Sequence, residues 1–192
     1  DVRTVGAAQE FRRSDPPEPF CLWVNVGCPH PPYDAPEPYA RMYDPAGMPD
    51  AVASEYVGTP VYMKLLNELS GMCRVDADHV RKIRAMYAGM ITMVDDLIGD
   101  LLAALDDTGL DARTATFVTS DHGNYAGDYG LPEKSWAALH DAILHVPMAA
   151  RIPGGSAAGV CPALTQHIDL FATMLELAGV EPRTAQHGRS LL

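Results

Sequence analysis

The stretch Thr114-Ala115-Thr116-Phe117-Val118-Thr119-Ser120-Asp121-His122-Gly123 decides the fold of this chain of 192 residues. Its first six residues are mostly β-branched or aromatic, a composition that predicts a strand. The polar residues that follow predict a sharp turn, which Gly123 makes inexpensive. A carboxylate and an imidazole, from Asp121 and His122, therefore come together at the tip of a strand.

Other patterns place helices and strands on either side of this stretch. Apolar residues recur at spacings of three and four from Val80 to Leu105, which predicts a long helix. Asp76 or Asp78 can cap its start, and Gly109 ends it. Further strands are predicted over residues 20–26 and 146–152, and shorter helices over residues 4–13, 55–69 and 168–177. Since residues 20–26 are nearly all apolar or β-forming, the prediction is an α/β fold with a largely parallel sheet flanked by helices.

The composition limits the kinds of partner that this chain is expected to bind. Fourteen basic and twenty-five acidic residues give a net charge of −11 without a basic cluster, which argues against nucleic acid. No apolar run has the length of a membrane span, so no membrane partner is predicted. The four cysteines have neither zinc-module nor dense disulfide spacing. An acidic surface repels anions, so an anion site needs a local cation, a metal or backbone amides.

Candidate site residues follow the predicted strands. If residues 20–26 and 114–119 run parallel, His30 lies on the same rim as Asp121 and His122. Lys134 follows shortly after in a very acidic chain. Each alone has a plainer explanation: a turn carboxylate, a surface histidine, a solvated lysine. Together they suit metal ligands, a proton donor and a fixed cation for an oxyanion.

Ordered motifs run through most of the chain. They are Pro29-His30-Pro31-Pro32-Tyr33, Tyr87 to Gly99, Thr119-Ser120-Asp121-His122-Gly123, Gly127 to Lys134, Val146-Pro147-Met148, Ile168-Asp169-Leu170 and His187-Gly188-Arg189-Ser190-Leu191. In these motifs the chain resembles the sulfatase family of the alkaline-phosphatase-like superfamily. The resemblance implies part of an alkaline-phosphatase-like fold and the hydrolysis of a small-molecule sulfate ester.

The resemblance also assigns roles to the candidate residues. Asp121 and His122 look like two ligands of a divalent cation, most often Ca²⁺, with Mg²⁺ or Mn²⁺ possible. Lys134 looks like the lysine that contacts the sulfate group. His30 looks like the histidine near the ester oxygen, able to bind the oxyanion or protonate the leaving alcohol. The family's nucleophile is a formylglycine made from Cys or Ser in a Cys/Ser-x-Pro-x-Arg motif.

The departures from the family define what is expected of this chain. It lacks the nucleophile motif and the early paired aspartates, and Tyr129 stands where many relatives have a second histidine. Residues 1–192 are therefore expected to be a single partial domain, the later part of a catalytic domain whose N-terminal portion is absent. The formylglycine is expected in that portion, so the chain alone is expected to be inactive. An unpaired sheet edge predicts self-association or pairing with the missing portion.

Two other functions stay open. A phosphonate or phosphate ester hydrolase of the same superfamily suits Lys134 and His30 equally well, because both substrates are tetrahedral anions. The third alternative, from another class, is a non-catalytic fragment that binds metal weakly or not at all.

Overall fold

The structure, a computed structural model, describes residues 1–54, 59–71, 75–135, 139–155 and 159–192. In chain order the described elements are α1 (Val2–Arg13), α2 (Val61–Ser70), α3 (Ala77–Asp107), β1 (Thr116–Thr119), α4 (Asp141–Leu144), β2 (Met148–Arg151) and α5 (His167–Leu177). They belong to two compact units: residues 1–16 with 22–153, and residues 17–21 with 154–192. No helix of these residues is both long and apolar enough to cross a membrane.

The long helix α3 forms where the periodicity predicts it. The carboxylate of Asp76 caps its start by accepting from the His79 amide at 2.9 Å. The helix ends at Asp107, and Gly109 follows with a φ of 67°. Helix α1 packs along it and buries Arg12, whose guanidinium donates to the Leu101 carbonyl at 3.0 Å. The predictions of α1, α3 and α5 are confirmed.

The sheet of the described residues has two strands, and they are antiparallel. Strand β1 pairs with β2 so that Thr116 lies opposite Arg151 and Thr119 lies opposite Met148. Both strands were predicted, but the largely parallel sheet is wrong for this part of the chain. A parallel pair needs a long crossover, usually a helix. The described residues between β1 and β2 hold only the four-residue α4 and a 3₁₀ turn.

The predicted strand over residues 20–26 is also wrong. These residues form no strand, and Trp23 is 72% exposed rather than buried on both faces. Apolar and β-branched residues favour a strand only when a neighbouring strand pairs with their backbone. None of the described residues supplies such a neighbour.

A small core lies beneath the loops that carry the candidate site. Met63 of α2, Tyr125, Leu131 and Ile143 of α4 pack together and are almost entirely buried. Tyr125 and Leu131 belong to the loop that follows β1, so this core fixes that loop at two points. Helix α2 begins at Val61. The first residues of the predicted helix 55–69 and the cysteine at position 73 fall outside the described ranges.

Candidate active site

His30 and Lys134 lie in direct contact, although they are far apart in the sequence. The Lys134 Nζ is 2.6 Å from the His30 Nε2, and the His30 Nδ1 is 2.6 Å from the Pro31 carbonyl oxygen. A carbonyl only accepts, so Nδ1 carries the proton and Nε2 accepts from the ammonium. The structure brings these two predicted residues together, but without the shared rim of parallel strands that the sequence led us to expect.

A carboxylate stands beside this cation. The Glu133 Oε2 lies 3.6 Å from the Lys134 Nζ. One third of the lysine side chain is exposed, so an anion in solvent can reach the ammonium. In a chain with a net charge of −11, Lys134 therefore provides a local positive centre that Glu133 partly offsets.

Asp121 and His122 face each other at the end of β1. The His122 Nε2 is 3.6 Å from the Asp121 Oδ2, and its Nδ1 is 2.8 Å from the Gly123 carbonyl oxygen. Nδ1 must therefore be the donor, which leaves the lone pair of Nε2 on the side of the carboxylate. A backbone carbonyl fixes the tautomer of metal-binding histidines in the same way. The chemistry of this pair fits two ligands of a divalent cation.

Two ligands do not complete a metal site. Within the described ranges, no three His, Cys, Asp or Glu side chains lie close enough to share an ion. The Asp121 side chain is 85% exposed, so it is open to a further group. Asp121 and His122 would supply part of a coordination shell, and other oxygen ligands would have to come from elsewhere.

Gly123 has a different role from the predicted one. Its φ lies outside the left-handed region, so the turn does not depend on glycine's conformational freedom. Its amide donates to the Ile143 carbonyl at 2.8 Å. A Cβ here would lie only 2.9 Å from the carbonyl carbon of Ala142. Glycine is needed because the Asp121–His122 turn packs directly on α4.

An ion pair secures the middle of the loop between the metal-ligand candidates and Lys134. The Asp128 Oδ1 accepts from the Arg84 guanidinium of α3 and from the Val52 amide, both at 2.7 Å. Both charged side chains are less than one-fifth exposed. The turn includes two non-glycine residues with positive φ, Ala126 at 45° and Tyr129 at 56°. No pattern in the sequence predicts this ion pair, because nothing local couples two residues 44 positions apart.

Tyr129 packs against another aromatic ring. It stacks on His140 with ring centroids 3.9 Å apart and planes 9° from parallel. The His140 Nδ1 is also 2.9 Å from the Tyr125 hydroxyl. Tyr129 therefore takes part in the packing of the loop, and no ligand role is assigned to it.

Tyr33 connects the segment of His30 with this loop. Its hydroxyl donates to the Asn124 Oδ1 at 3.0 Å and to the Pro132 carbonyl. Burial raises the pKa of Tyr33 above its usual range, so the phenol stays neutral. Tyr33 was part of a motif in the sequence but received no role there, because its two partners lie 91 and 99 residues further along the chain.

Comparisons with known proteins agree on one superfamily. A family model described as Sulfatase matches residues 1–180. The multifunctional alkaline phosphatase superfamily protein PehA of Trinickia caryophylli is 33% identical over 193 residues, which cover 91% of this chain and 37% of that protein. Arylsulfatase K of Xenopus laevis is 29% identical, over 91% of this chain and 35% of that protein.

The fold of this chain is similar to that of two solved structures. A phosphonate monoester hydrolase from Silicibacter pomeroyi matches with a TM-score of 0.82 and 31% identity, over 98% of this chain and 40% of that one. The phosphonate monoester hydrolase of Agrobacterium radiobacter matches with a TM-score of 0.82 and 27% identity, over 98% and 41%. The chain thus has part of an alkaline-phosphatase-like fold and spans about two-fifths of the length of these relatives.

Proposed function

Because the chain belongs to the sulfatase family of hydrolases, we propose that the protein hydrolyses singly charged esters of tetrahedral oxyacids. A phosphonate monoester is the first candidate, favoured by the similarity to two phosphonate monoester hydrolases. A sulfate monoester, the substrate implied by the sequence motifs, is the second, favoured by the arylsulfatase relatives. The observation that carries the proposal is the contact between His30 and Lys134 in loops tied to the Asp121–His122 turn.

Charge favours a substrate with a single negative charge. Sulfate and phosphonate monoesters carry one charge, whereas a phosphate monoester carries two at neutral pH. Lys134 offers one cation to the anion, and Glu133 stands 3.6 Å from it. A second negative charge on the substrate would meet this carboxylate at a cost that rises with each unit of charge.

His30 and Lys134 have complementary tasks in this proposal. The ammonium of Lys134 has three donors, so it can turn one of them to a non-bridging oxygen of the ester. The His30 ring is oriented through its Nδ1 proton on the Pro31 carbonyl. Its Nε2 accepts from Lys134 when no ester is bound. Once the ammonium turns to the ester, Nε2 would be able to take up a proton from solvent and pass it to the leaving oxygen.

Asp121 and His122 are proposed to hold a divalent cation, with Ca²⁺ as the first candidate and Mg²⁺ or Mn²⁺ as alternatives. Such an ion, when bound, supplies Lewis-acid stabilisation of charge on the ester oxygens. The Gly123 carbonyl orients the His122 ring so that Nε2 is the free ligand atom.

The nucleophile is proposed to lie outside these 192 residues, because no Cys/Ser-x-Pro-x-Arg sequence occurs in them. A formylglycine in another part of the protein would fill that role. The chain alone is accordingly proposed to be inactive as an esterase. Turnover of an aryl ester by the purified chain, abolished by Asp121→Ala, would contradict this.

Paired substrates with one common leaving group test the proposed function. The complete protein that contains this chain would be assayed with an aryl methylphosphonate, an aryl sulfate and an aryl phosphate. We expect kcat/KM to be highest for one of the two singly charged esters. A clear preference for the phosphate, or no turnover of any of the three, would overturn the proposal.

A further inference from the structure

One hydroxyl group joins the three segments that carry the candidate residues. Tyr33 lies three residues after His30. Its hydroxyl reaches the Asn124 Oδ1, just beyond the Asp121–His122 turn, and the Pro132 carbonyl, two residues before Lys134. A single oxygen atom therefore contacts both arms of the loop that follows β1.

The chemistry of both contacts makes Tyr33 a donor. The Asn124 Oδ1 also accepts from the Ala126 amide at 3.0 Å, which fixes the oxygen rather than the nitrogen of the side-chain amide at this position. The Pro132 carbonyl can only accept. The hydroxyl has one proton to share between two acceptors. Without that proton, the phenolate oxygen would face the Asn124 Oδ1 and the Pro132 carbonyl oxygen, and the three electron-rich atoms would repel one another. Burial acts in the same direction by raising the pKa of Tyr33.

The ring of Tyr33 is held independently of its hydroxyl. It packs edge-on against Tyr87 of α3, with centroids 6.0 Å apart and planes at 84°. Replacing Tyr33 with Phe would therefore keep this aromatic contact and delete only the link between the loops.

Lys134 depends on such a link. Leu131 is fixed by hydrogen bonds with Gly127 and Asp128, whereas residues 132–135 form neither helix nor strand. The bond from Tyr33 to the Pro132 carbonyl lies between Leu131 and Lys134, and it comes from the segment that carries His30. Without this hydrogen bond, we expect the backbone before Lys134 to move, so that the 2.6 Å contact between the Lys134 Nζ and the His30 Nε2 is no longer held.

We propose that Tyr33 is a positioning residue that sets the spacing between His30, Lys134 and the Asp121–His122 turn through its shared hydroxyl. The consequence for turnover rests on the proposed function. The consequence for the His30–Lys134 contact does not, and it can be measured in the chain itself.

The first test measures the two ring nitrogens of His30 by long-range ¹H–¹⁵N NMR, with the signals assigned from a His30→Gln sample. At a pH where free imidazole is neutral, we expect the original chain to show the Nδ1–H tautomer, with Nε2 accepting from Lys134. In Tyr33→Phe the Pro31 carbonyl still holds the Nδ1 proton, but Nε2 loses its hydrogen bond from Lys134, so the ¹⁵N signal of Nε2 should move downfield. An Nε2 signal unchanged from that of the original chain would overturn the proposal.

Two further variants keep this test specific. Tyr87→Phe removes a hydroxyl from the neighbouring ring, which has no hydrogen bond to either loop among the described residues, and it should leave the His30 signal unchanged. Asn124→Ala removes one of the two acceptors and should shift the signal in the direction of Tyr33→Phe, but by less. If Tyr33→Phe does not fold, an unchanged signal in Asn124→Ala would overturn the proposal.

The second test uses turnover by the complete protein. Tyr33→Phe should lower kcat about tenfold to a hundredfold, the scale of a misplacement of roughly 1 Å, with a smaller change in KM. In a Lys134→Ala background the same substitution should change kcat less than about twofold, because Tyr33 acts through that lysine. Equal effects in both backgrounds would overturn the proposal. Absence of turnover in the unmodified protein would instead overturn the proposed function and leave the NMR test intact.

Discussion

Replacing Gly123 with Ala tests how closely the Asp121–His122 turn is packed on α4. An ideal Cβ at position 123 would lie 2.9 Å from the Ala142 carbonyl carbon and 3.2 Å from the Ile143 Cα. Non-bonded carbons rest at about 3.5–4.0 Å. The Ala142 carbonyl oxygen lies closer still, so the turn and the helix must separate by at least roughly 0.6–1.1 Å in the variant.

That separation has a predictable cost. The hydrogen bond from the Gly123 amide to the Ile143 carbonyl, 2.8 Å long, would stretch beyond the range of a normal N–H···O bond. Losing it costs about 0.5–1.5 kcal/mol, and overpacking adds about 1–3 kcal/mol. We expect Gly123→Ala to lower the free energy of unfolding by about 2–4 kcal/mol and to displace Asp121 and His122, the proposed metal ligands, by roughly 1 Å.

The assay is urea unfolding followed by far-UV circular dichroism, with hydrogen exchange of the amide at position 123 as a local probe. Gly99→Ala is the matched control, because a Cβ there meets nothing within 4 Å on helix α3. It should raise the free energy of unfolding by about 0.5–1 kcal/mol. An unfolding free energy of Gly123→Ala within about 0.5 kcal/mol of the original chain, with the amide still protected, would refute the packing argument.

Two further predictions concern charge. Glu133→Gln removes the carboxylate 3.6 Å from the Lys134 Nζ, and it should lower KM for a phosphate ester relative to a phosphonate ester about threefold. This is the effect of one unit charge at roughly 6 Å in water-like surroundings, and an unchanged KM ratio would contradict it. Hydrogen bonds from the Arg189 amide at 2.9 Å and the Gln166 amide at 2.8 Å lower the pKa of Asp169. This stabilisation is present above the unfolded carboxyl pKa of about 3.9 and is lost as pH falls through the lower folded value. The protection factors of the α5 amides in hydrogen exchange should therefore fall below about pH 4 in the original chain but not in Asp169→Asn, and parallel profiles would contradict this prediction.

Helices α1, α3 and α5 could be predicted because their signals are local. The spacing of apolar residues from Val80 to Leu105 and the cap at Asp76 are properties of neighbouring residues, and the structure reproduces both. Strand direction is not local, since it depends on the connection between strands. The residues between β1 and β2 contain no long crossover helix among those described, so the pair is antiparallel.

The candidate site also combines residues that the sequence could indicate with contacts that it could not. Residue types drew attention to His30 and Lys134, but each alone had a plainer explanation, and their roles followed from the resemblance to the sulfatase family. Their contact could be suspected only from an incorrect arrangement of strands. The groups that secure it, the Tyr33 hydroxyl and the Asp128–Arg84 pair, act between segments distant in the sequence. No periodicity or spacing signals such links.

The proposed function depends above all on Lys134, whose ammonium is proposed to bind the anion of a singly charged ester. The most direct measurement is kcat/KM of the complete protein for its better singly charged aryl ester, compared between the original sequence and Lys134→Met. Lys64→Met, which removes an exposed lysine from α2, is the control. We expect a loss of about a hundredfold to a thousandfold for Lys134→Met, the scale of removing one charge-stabilising donor, and little change for Lys64→Met. Equal activity of the two variants would contradict it.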